Sequence, residues 1–199
     1  MKRRMTHLMA AMVSMFALLG AVGMANAGAA TDVVKAKQTT LFELIKDANG
    51  NKKKVSALFD EMLDYGALAE ASLGSEWAAR SDAEKAEFSD LLKQLVQKAY
   101  ERNLKKTLSF NIEYLGEEAS GSVIVVKTKA VSKTNAREEP IEINYKMQEK
   151  GGAWRVNDIV TEGVSLVSSY RSQFTKIVKK DGFPALIKKM KVKVAKGDV

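Results

Sequence analysis

Trp154-Arg-Val-Asn-Asp-Ile-Val-Thr-Glu-Gly-Val-Ser-Leu-Val-Ser-Ser-Tyr-Arg-Ser-Gln-Phe174 changes period once. Up to Val160 its apolar residues read as a strand. From Val164 they fall at helical spacing, as Val164, Val167, Tyr170 and Phe174, continuing to Ile177 and Val178. The pattern predicts a strand that runs straight into a helix, with Glu162-Gly163 as the hinge and Glu162 in the helix's first turn, where a carboxylate meets the positive end of the dipole.

Upstream of Trp154 the period is two. Phe110, Ile112 and Tyr114 alternate with Asn111 and Glu113, and Gly116 to Gly121 is expected to turn the chain. Val123 to Val131 reads as a second strand, followed by a polar loop from Ser132 to Glu139. Ile141, Ile143, Tyr145 and Met147 then mark a third strand, and Lys150-Gly151-Gly152 reads as a hairpin turn into the fourth, Ala153 to Val160. Four consecutive strands with short connections imply an antiparallel meander with one wet face.

Helices flank this block. Val33, Val34, Leu41, Leu44 and Ile45 form a loose stripe, ended by the turn signal Asn49-Gly50. Val55, Leu58, Phe59, Met62 and Leu63 form a second stripe, and Tyr65 to Trp77 a shorter Ala-rich helix interrupted at Gly74. Ser81-Asp82-Ala83-Glu84 fits a capping box. It opens a stripe through Phe88, Leu91, Leu92, Leu95, Val96, Ala99, Tyr100 and Leu104. After Asp181-Gly182, Pro184 is placed as the first residue of a last short helix with Phe183, Leu186, Ile187 and Met190 as its apolar contacts. Helices, then a meander, then helices again define an α+β fold, a curved four-stranded antiparallel sheet packed by several helices. The expected layout is one domain over residues 28–199, with a helical part (31–107), the sheet (108–161) and C-terminal helices (162–195).

Residues 1–27 have the form of a cleavable signal peptide. Lys2, Arg3 and Arg4 precede an uncharged stretch from Leu8 to Met24, and Ala25-Asn26-Ala27 supplies small residues for cleavage. Its removal would take the only His, His7, and six of the nine Met. With no Cys in the chain, residues 28–199 hold neither His nor Cys. Metal sites built on those ligands and Ser-His-Asp or Cys-His nucleophile systems are therefore excluded. The net charge of +8 falls to +5 without Lys2, Arg3 and Arg4. From Lys176 onward eight Lys face two Asp, so the basic character belongs to the C-terminus. Lys outnumbers Arg 24 to 5 in residues 28–199, which argues against an Arg-fork phosphate surface, and export argues against a nucleic-acid partner. The Lys-rich end is read as a solvated helix face, with contact to anionic head groups or an acidic partner as the other reading.

No catalytic constellation stands out. Asp158 and Glu162 lie four residues apart across the strand-to-helix hinge and could form a carboxylate pair with Glu142 nearby, but a capping role accounts for Glu162. No phosphate-cradling glycine loop is present. Apolar surface is abundant instead: Phe110, Ile112, Tyr114, Val123, Val125, Ile141, Ile143, Tyr145, Trp154 and Val156 are assigned to one sheet face, confronting amphipathic helices. Periodicity does not separate a filled core from a hollow one.

A family likeness bears on that choice. The run carrying it is Trp154, Asp158-Ile159-Val160, Glu162-Gly163-Val164-Ser165-Leu166, Tyr170-Arg171-Ser172-Gln173-Phe174, Ile177, Gly182 and Leu186-Ile187. Upstream, Leu73-Gly74-Ser75-Glu76-Trp77 precedes the long helix. These elements resemble, in order and spacing, the MlaC or Ttg2D (toluene-tolerance) family of periplasmic phospholipid-binding proteins, over most of residues 31–190. Asn157 departs from the pattern, standing where members often carry an aromatic residue, and is given no pocket role.

The resemblance implies a fold like that of nuclear transport factor 2 (NTF2-like) with an apolar pocket for acyl chains, and neither enzymatic activity nor a cofactor or metal. It implies a soluble shuttle in the Mla pathway of outer-membrane lipid asymmetry. Its partners would be phospholipid, an outer-membrane lipoprotein–porin complex and an inner-membrane ABC transporter with a mammalian-cell-entry (MCE) domain protein. The residues expected to line the pocket are Leu91, Leu95, Phe110, Ile112, Val123, Val125, Ile141, Ile143, Tyr145, Trp154, Val156, Val164, Val167, Tyr170 and Phe174. Two other readings stay open at this point: a periplasmic adaptor with a filled core acting through its basic C-terminal helix, and an enzyme using Asp158 or Glu162.

Overall fold

A computed structural model describes residues 28–47 and 51–197. The signal-peptide stretch, the Asn49-Gly50 turn and the side chain of Leu104 lie outside the described residues. Four helices come first: α1 (Ala29–Lys46), α2 (Lys52–Met62), α3 (Tyr65–Leu73) and, after a single 3₁₀ turn at Gly74–Glu76, α4 (Asp82–Thr107). The sheet follows as β1 (Phe110–Ser120), β2 (Val123–Ser132), β3 (Ile141–Lys150), β4 (Ala153–Thr161) and a two-residue β5 (Val164–Ser165). Helices α5 (Leu166–Asp181) and α6 (Phe183–Lys196) complete the described chain. The strands pair antiparallel in sequence order, so the fold is α+β with one open meander, five strands rather than four.

The capping box starts α4 as its residues require. Ser81 Oγ accepts from the Glu84 amide, and the Glu84 carboxylate accepts from the Ser81 amide at 2.9 Å. Two of the four orphan N–H groups of the first turn are thereby satisfied. The stripe behind the cap is buried at Phe88, Leu91, Leu92, Leu95 and Val96. Phe88 joins three helices: its ring meets Phe174 of α5 edge-on at 5.4 Å, Phe183 of α6 at 6.3 Å and Trp77 at 6.4 Å. A ring wedged among three partners in this way carries about 3–5 kcal/mol against truncation to Ala.

Register decides which strand residues face the helices. Tyr114 pairs with Thr128, Ile112 with Ala130, Tyr145 with Val126 and Met147 with Ile124. The inner face of β2 is therefore Ile124, Val126, Thr128 and Ala130, three of them fully buried. Val123 and Val125, expected on that face, point to the other side with Lys127 and Lys129. The first four residues of β2 are all apolar and do not mark a face; the two lysines do.

Two expectations about turns also change. β1 does not stop at Gly116. A bulge between Tyr114 and Gly116 takes up Leu115, which is 53% exposed, and pairing resumes to Ser120, so that Gly121-Ser122 alone turns the chain. The continued strand is held by Glu118 to Lys127 at 2.8 Å and by Glu117, which reaches α1. At the other hinge, strand does not run straight into helix. Glu162, with φ +49°, and Gly163, with φ +75°, form a tight turn, and Val164 pairs back onto Thr161 before α5 begins at Leu166. Glu162 is thus outside the helix, and its carboxylate accepts from the Glu142 amide instead of facing the dipole of α5. Pro184 is the second residue of α6, after Phe183, still among the positions whose N–H needs no helical partner.

Helix and sheet are tied by polar contacts as well as by apolar burial. Gln38, on α1, donates to Tyr145 Oη at 2.7 Å and accepts from Tyr114 Oη. Burial, the largest cause, pushes the Tyr145 phenol up to about 12, which keeps it a neutral hydrogen-bonding group. At the junction of α2 and α3 the backbone bridges β4: Leu63 pairs with Val156, and the Asp64 amide donates to the Val156 carbonyl at 2.9 Å.

Candidate functional site

Two hollows flank the first turns of α5, one toward the end of the sheet and one toward α6. The first, about 420 Å³, is walled by Val96, Ala99, Tyr100 and Thr107 of α4, by Ile159 and Thr161 of β4, by Val164 of β5, and by Leu166, Ser169 and Tyr170 at the start of α5. The second, about 340 Å³, lies between α4, α5 and α6. Leu95, Phe174, Ile177, Leu186 and Met190 give it an apolar floor, with Gln173, Lys189 and Lys193 at its polar margin. Leu166, Ser169 and Tyr170 belong to both walls, so the hollows adjoin across the first turns of α5. Both volumes fall within the roughly 300–1,000 Å³ of small-molecule sites, and the lining is mostly aliphatic and aromatic, as such sites are. A third, more open hollow of about 500 Å³ between α5 and α6 shares Ile177, Lys189 and Lys193 with the second and adds Lys188.

The position of α5 controls this region, and it is set by Asp158. Its Oδ1 accepts from the Val167 amide at 3.1 Å, and its Oδ2 accepts from the Ser165 hydroxyl at 2.7 Å and from Lys146 Nζ at 3.1 Å. Ser165 Oγ in turn accepts from the Ser168 amide at 3.0 Å, capping the helix. The β4 carboxylate thereby fixes where the first turn of α5 sits against the sheet. Further along, Arg171 Nε donates to the Ala71 carbonyl of α3 at 2.7 Å. Tyr170 stacks on Phe174, itself in the wall of the second hollow, with ring centroids 5.3 Å apart, and Tyr100 is held from behind by Phe59 at 4.6 Å. Burial pushes the phenols of Tyr100 and Tyr170 above their ordinary value, leaving them as neutral hydroxyls in an apolar setting.

Nothing in this arrangement resembles acid–base machinery. Asp158 is committed to α5 and Lys146, Glu162 to the Glu142 amide, and neither lines a hollow. Among the described residues no group of three or more His, Cys, Asp or Glu side chains converges as a metal site, and no helix is long and apolar enough to cross a membrane.

The fifteen residues expected around a pocket divide by position. Val164 and Tyr170 line the first hollow, and Leu95, Tyr170 and Phe174 the second. Val164 is 62% exposed and forms an outer lip. Leu91, Tyr145, Val156 and Val167 are buried in the filled core, with Ile143 and Trp154 packed against it. Phe110, Ile112 and Ile141 are half-buried on the inner face at the strand ends, and Val123 and Val125 face away. The α4 side of the first hollow, Val96, Ala99 and Tyr100, was visible as part of the apolar stripe. Ile159 and Thr161 were not visible, because the bulge between Lys146 and Met147 shifts the alternation of β4 after Val156.

The fold and site define a helix-covered sheet with adjoining apolar hollows beside α5, the architecture of a container for an apolar ligand. The MlaC protein family model matches residues 27–192, and the chain belongs to that family. Among solved structures it is similar to a phospholipid-binding protein from Ralstonia solanacearum determined in complex with a phospholipid. The TM-score is 0.73 at 22% identity, covering 85% of this chain and 99% of that one. No curated protein sequence matches significantly.

Proposed function

We infer that this protein binds glycerophospholipid by its acyl tails and carries it through the periplasm, between an outer-membrane lipoprotein–porin complex and an inner-membrane ABC transporter with an MCE-domain protein. The observation that carries this reading is the pair of adjoining apolar hollows beside α5 in a chain of the MlaC family. The phospholipid held by the structurally similar Ralstonia protein supports it. Tails would enter between α4, α5 and the β4 end, with Val164 at the lip and the head group left outside.

The energetics require a carrier. Each tail methylene moved from water into an apolar site contributes about 0.8 kcal/mol, so free lipid does not cross an aqueous compartment at a useful rate. The carrier itself needs no bond-breaking chemistry. Release falls to a docking partner that opens or compresses the hollows.

Uptake of labelled phospholipid from vesicles tests this reading. The wild-type protein should become loaded, and Ala99→Phe, which fills the first hollow from α4, should weaken loading while the protein stays folded. Displacing two methylenes costs about 1.6 kcal/mol, which is more than tenfold. Equal loading of both proteins would remove the first hollow from the account.

A further inference from the structure

Glu117 stands out among the groups that lipid binding leaves unused. It lies on β1 beyond the bulge, partly buried, and both its oxygens point at the start of α1. Oε1 accepts from the Gly28 nitrogen at 2.7 Å, and Oε2 accepts from the Thr31 amide at 2.7 Å and the Thr31 hydroxyl at 2.8 Å. Burial pushes this carboxyl up, but the bonds from Gly28 and Thr31 outweigh it and the net displacement is downward. It is the N-terminal cap of α1 supplied from the sheet, since Gly28 has no side chain with which to cap. Gly28 is also the residue that follows Ala25-Asn26-Ala27.

We propose that Glu117 is the receptor for the new N-terminus created by signal-peptide removal: the α-ammonium of Gly28 forms an ion pair with it that the precursor does not have. Hydrolysis of the Ala27–Gly28 bond by an export-associated protease adds the water oxygen to the Ala27 carbonyl. Gly28 leaves as an amine that is protonated at neutral pH. In the uncleaved chain the same nitrogen is a neutral amide donor 2.7 Å from a carboxylate oxygen; cleavage turns it into a cation facing that oxygen. The amide-to-carboxylate bond of the precursor is already charge-assisted, so what cleavage adds is the attraction between two full charges. The carboxylate is also needed there, because a free ammonium at the positive end of a helix dipole is otherwise unfavourable. The effect is carried by α1, whose Gln38 ties it to Tyr114 and Tyr145, so cleavage completes the docking of α1 on the sheet.

The proposal rests on the export reading above, and the test separates the two. Protein purified from the periplasm of an expressing bacterium is sequenced from its N-terminus. The pKa of the α-amino group is then measured from the pH dependence of its acylation, read by peptide mass spectrometry. The expected result is Gly28 as first residue, with an α-amino pKa about one unit above the ordinary value of about 7.8, returning to the ordinary value in Glu117→Gln. A first residue other than Gly28 would overturn the proposal at cleavage. An ordinary pKa in the wild type, or a raised one unchanged in Glu117→Gln, would overturn it at the ion pair.

A second variant keeps Glu117 and moves the charge: one extra Ala retained before Gly28 after processing. A raised folded-state pKa means stability fully present below the unfolded value and lost as pH rises through the folded one. Wild-type protein should therefore lose stability across that alkaline window and the extended protein should not. Identical pH profiles for the two would contradict the pairing.

Discussion

Asp158 and Ser165 are joined by a 2.7 Å hydrogen bond in which the serine hydroxyl donates, while the same oxygen accepts the Ser168 amide of α5 at 3.0 Å. The carboxylate also holds the Val167 amide at 3.1 Å, so one strand residue positions the helix that walls both hollows. Asp158→Ala should cost about 1–3 kcal/mol in denaturant unfolding, because a buried cap is removed and its donors lose their acceptor. It should also weaken lipid loading in the folded protein. Asp158→Asn, which retains one acceptor oxygen, should lose less. A variant as stable as wild type would mean that the cap does not hold α5.

Gly74 and Arg171 make the second tie. Gly74 has φ +62°, and a Cβ added there would lie 3.3 Å from Arg171 Cδ. With ψ at −131° the position lies outside the left-handed helical well, in a region that glycine alone enters freely, and an L-residue there costs about 1–3 kcal/mol before any clash. Gly74→Ala should therefore lower unfolding free energy by at least about 1 kcal/mol, measured by urea titration, and Arg171→Ala in the same background should relieve only the steric part.

Gln38 occupies the interface of α1 with the sheet. Gln38→Leu keeps the apolar volume but leaves the Tyr145 and Tyr114 hydroxyls without their partner. The expected loss is about 1–3 kcal/mol, and removing both hydroxyls together with the amide, as Gln38→Leu/Tyr114→Phe/Tyr145→Phe, should restore part of it. Thermal and denaturant unfolding of the series checks this.

Asp64 predicts a feature of the acid limb. Burial raises its carboxyl, but the hydrogen bond from Lys150 at 2.8 Å, the Ala67 amide at 3.0 Å, the charge of Lys150 and the Gly66 amide together bring it below its ordinary value. A lowered folded-state pKa contributes stability above the unfolded value of about 3.9 and loses it as pH falls through the folded one. Asp64→Asn should thus be less stable than wild type at neutral pH, and the gap should close in acid. A gap independent of pH would contradict the assignment.

Much of this architecture was legible in the residues, and the misses have local causes. The capping box and the stripe from Phe88 placed α4, alternation placed β1 and β3, and the Lys150-Gly151-Gly152 turn placed β4. The face of β2 was misassigned because Val123 to Val126 is uniformly apolar, although Lys127 and Lys129 carried the answer. The run of β1 past Gly116 depended on a bulge and on Glu117 finding α1, a partner 86 residues away for Thr31. The hinge after β4 was read as helix because Val164 keeps the helical spacing, while its φ-positive neighbours impose a turn. The hollows were beyond periodicity altogether. Val96, Ala99 and Tyr100 would carry the same apolar stripe whether α5 closed against them or stood off, and that distance is set by Asp158 and Ser165.

Phospholipid held in the hollows beside α5 should travel with the protein through purification. Organic extraction of the protein purified from a bacterial periplasm, followed by mass spectrometry of the extract, tests it most directly. Phospholipid should be recovered from the wild type and depleted from Ala99→Phe. Well-folded wild-type protein that yields no phospholipid and takes none up from vesicles would contradict the account.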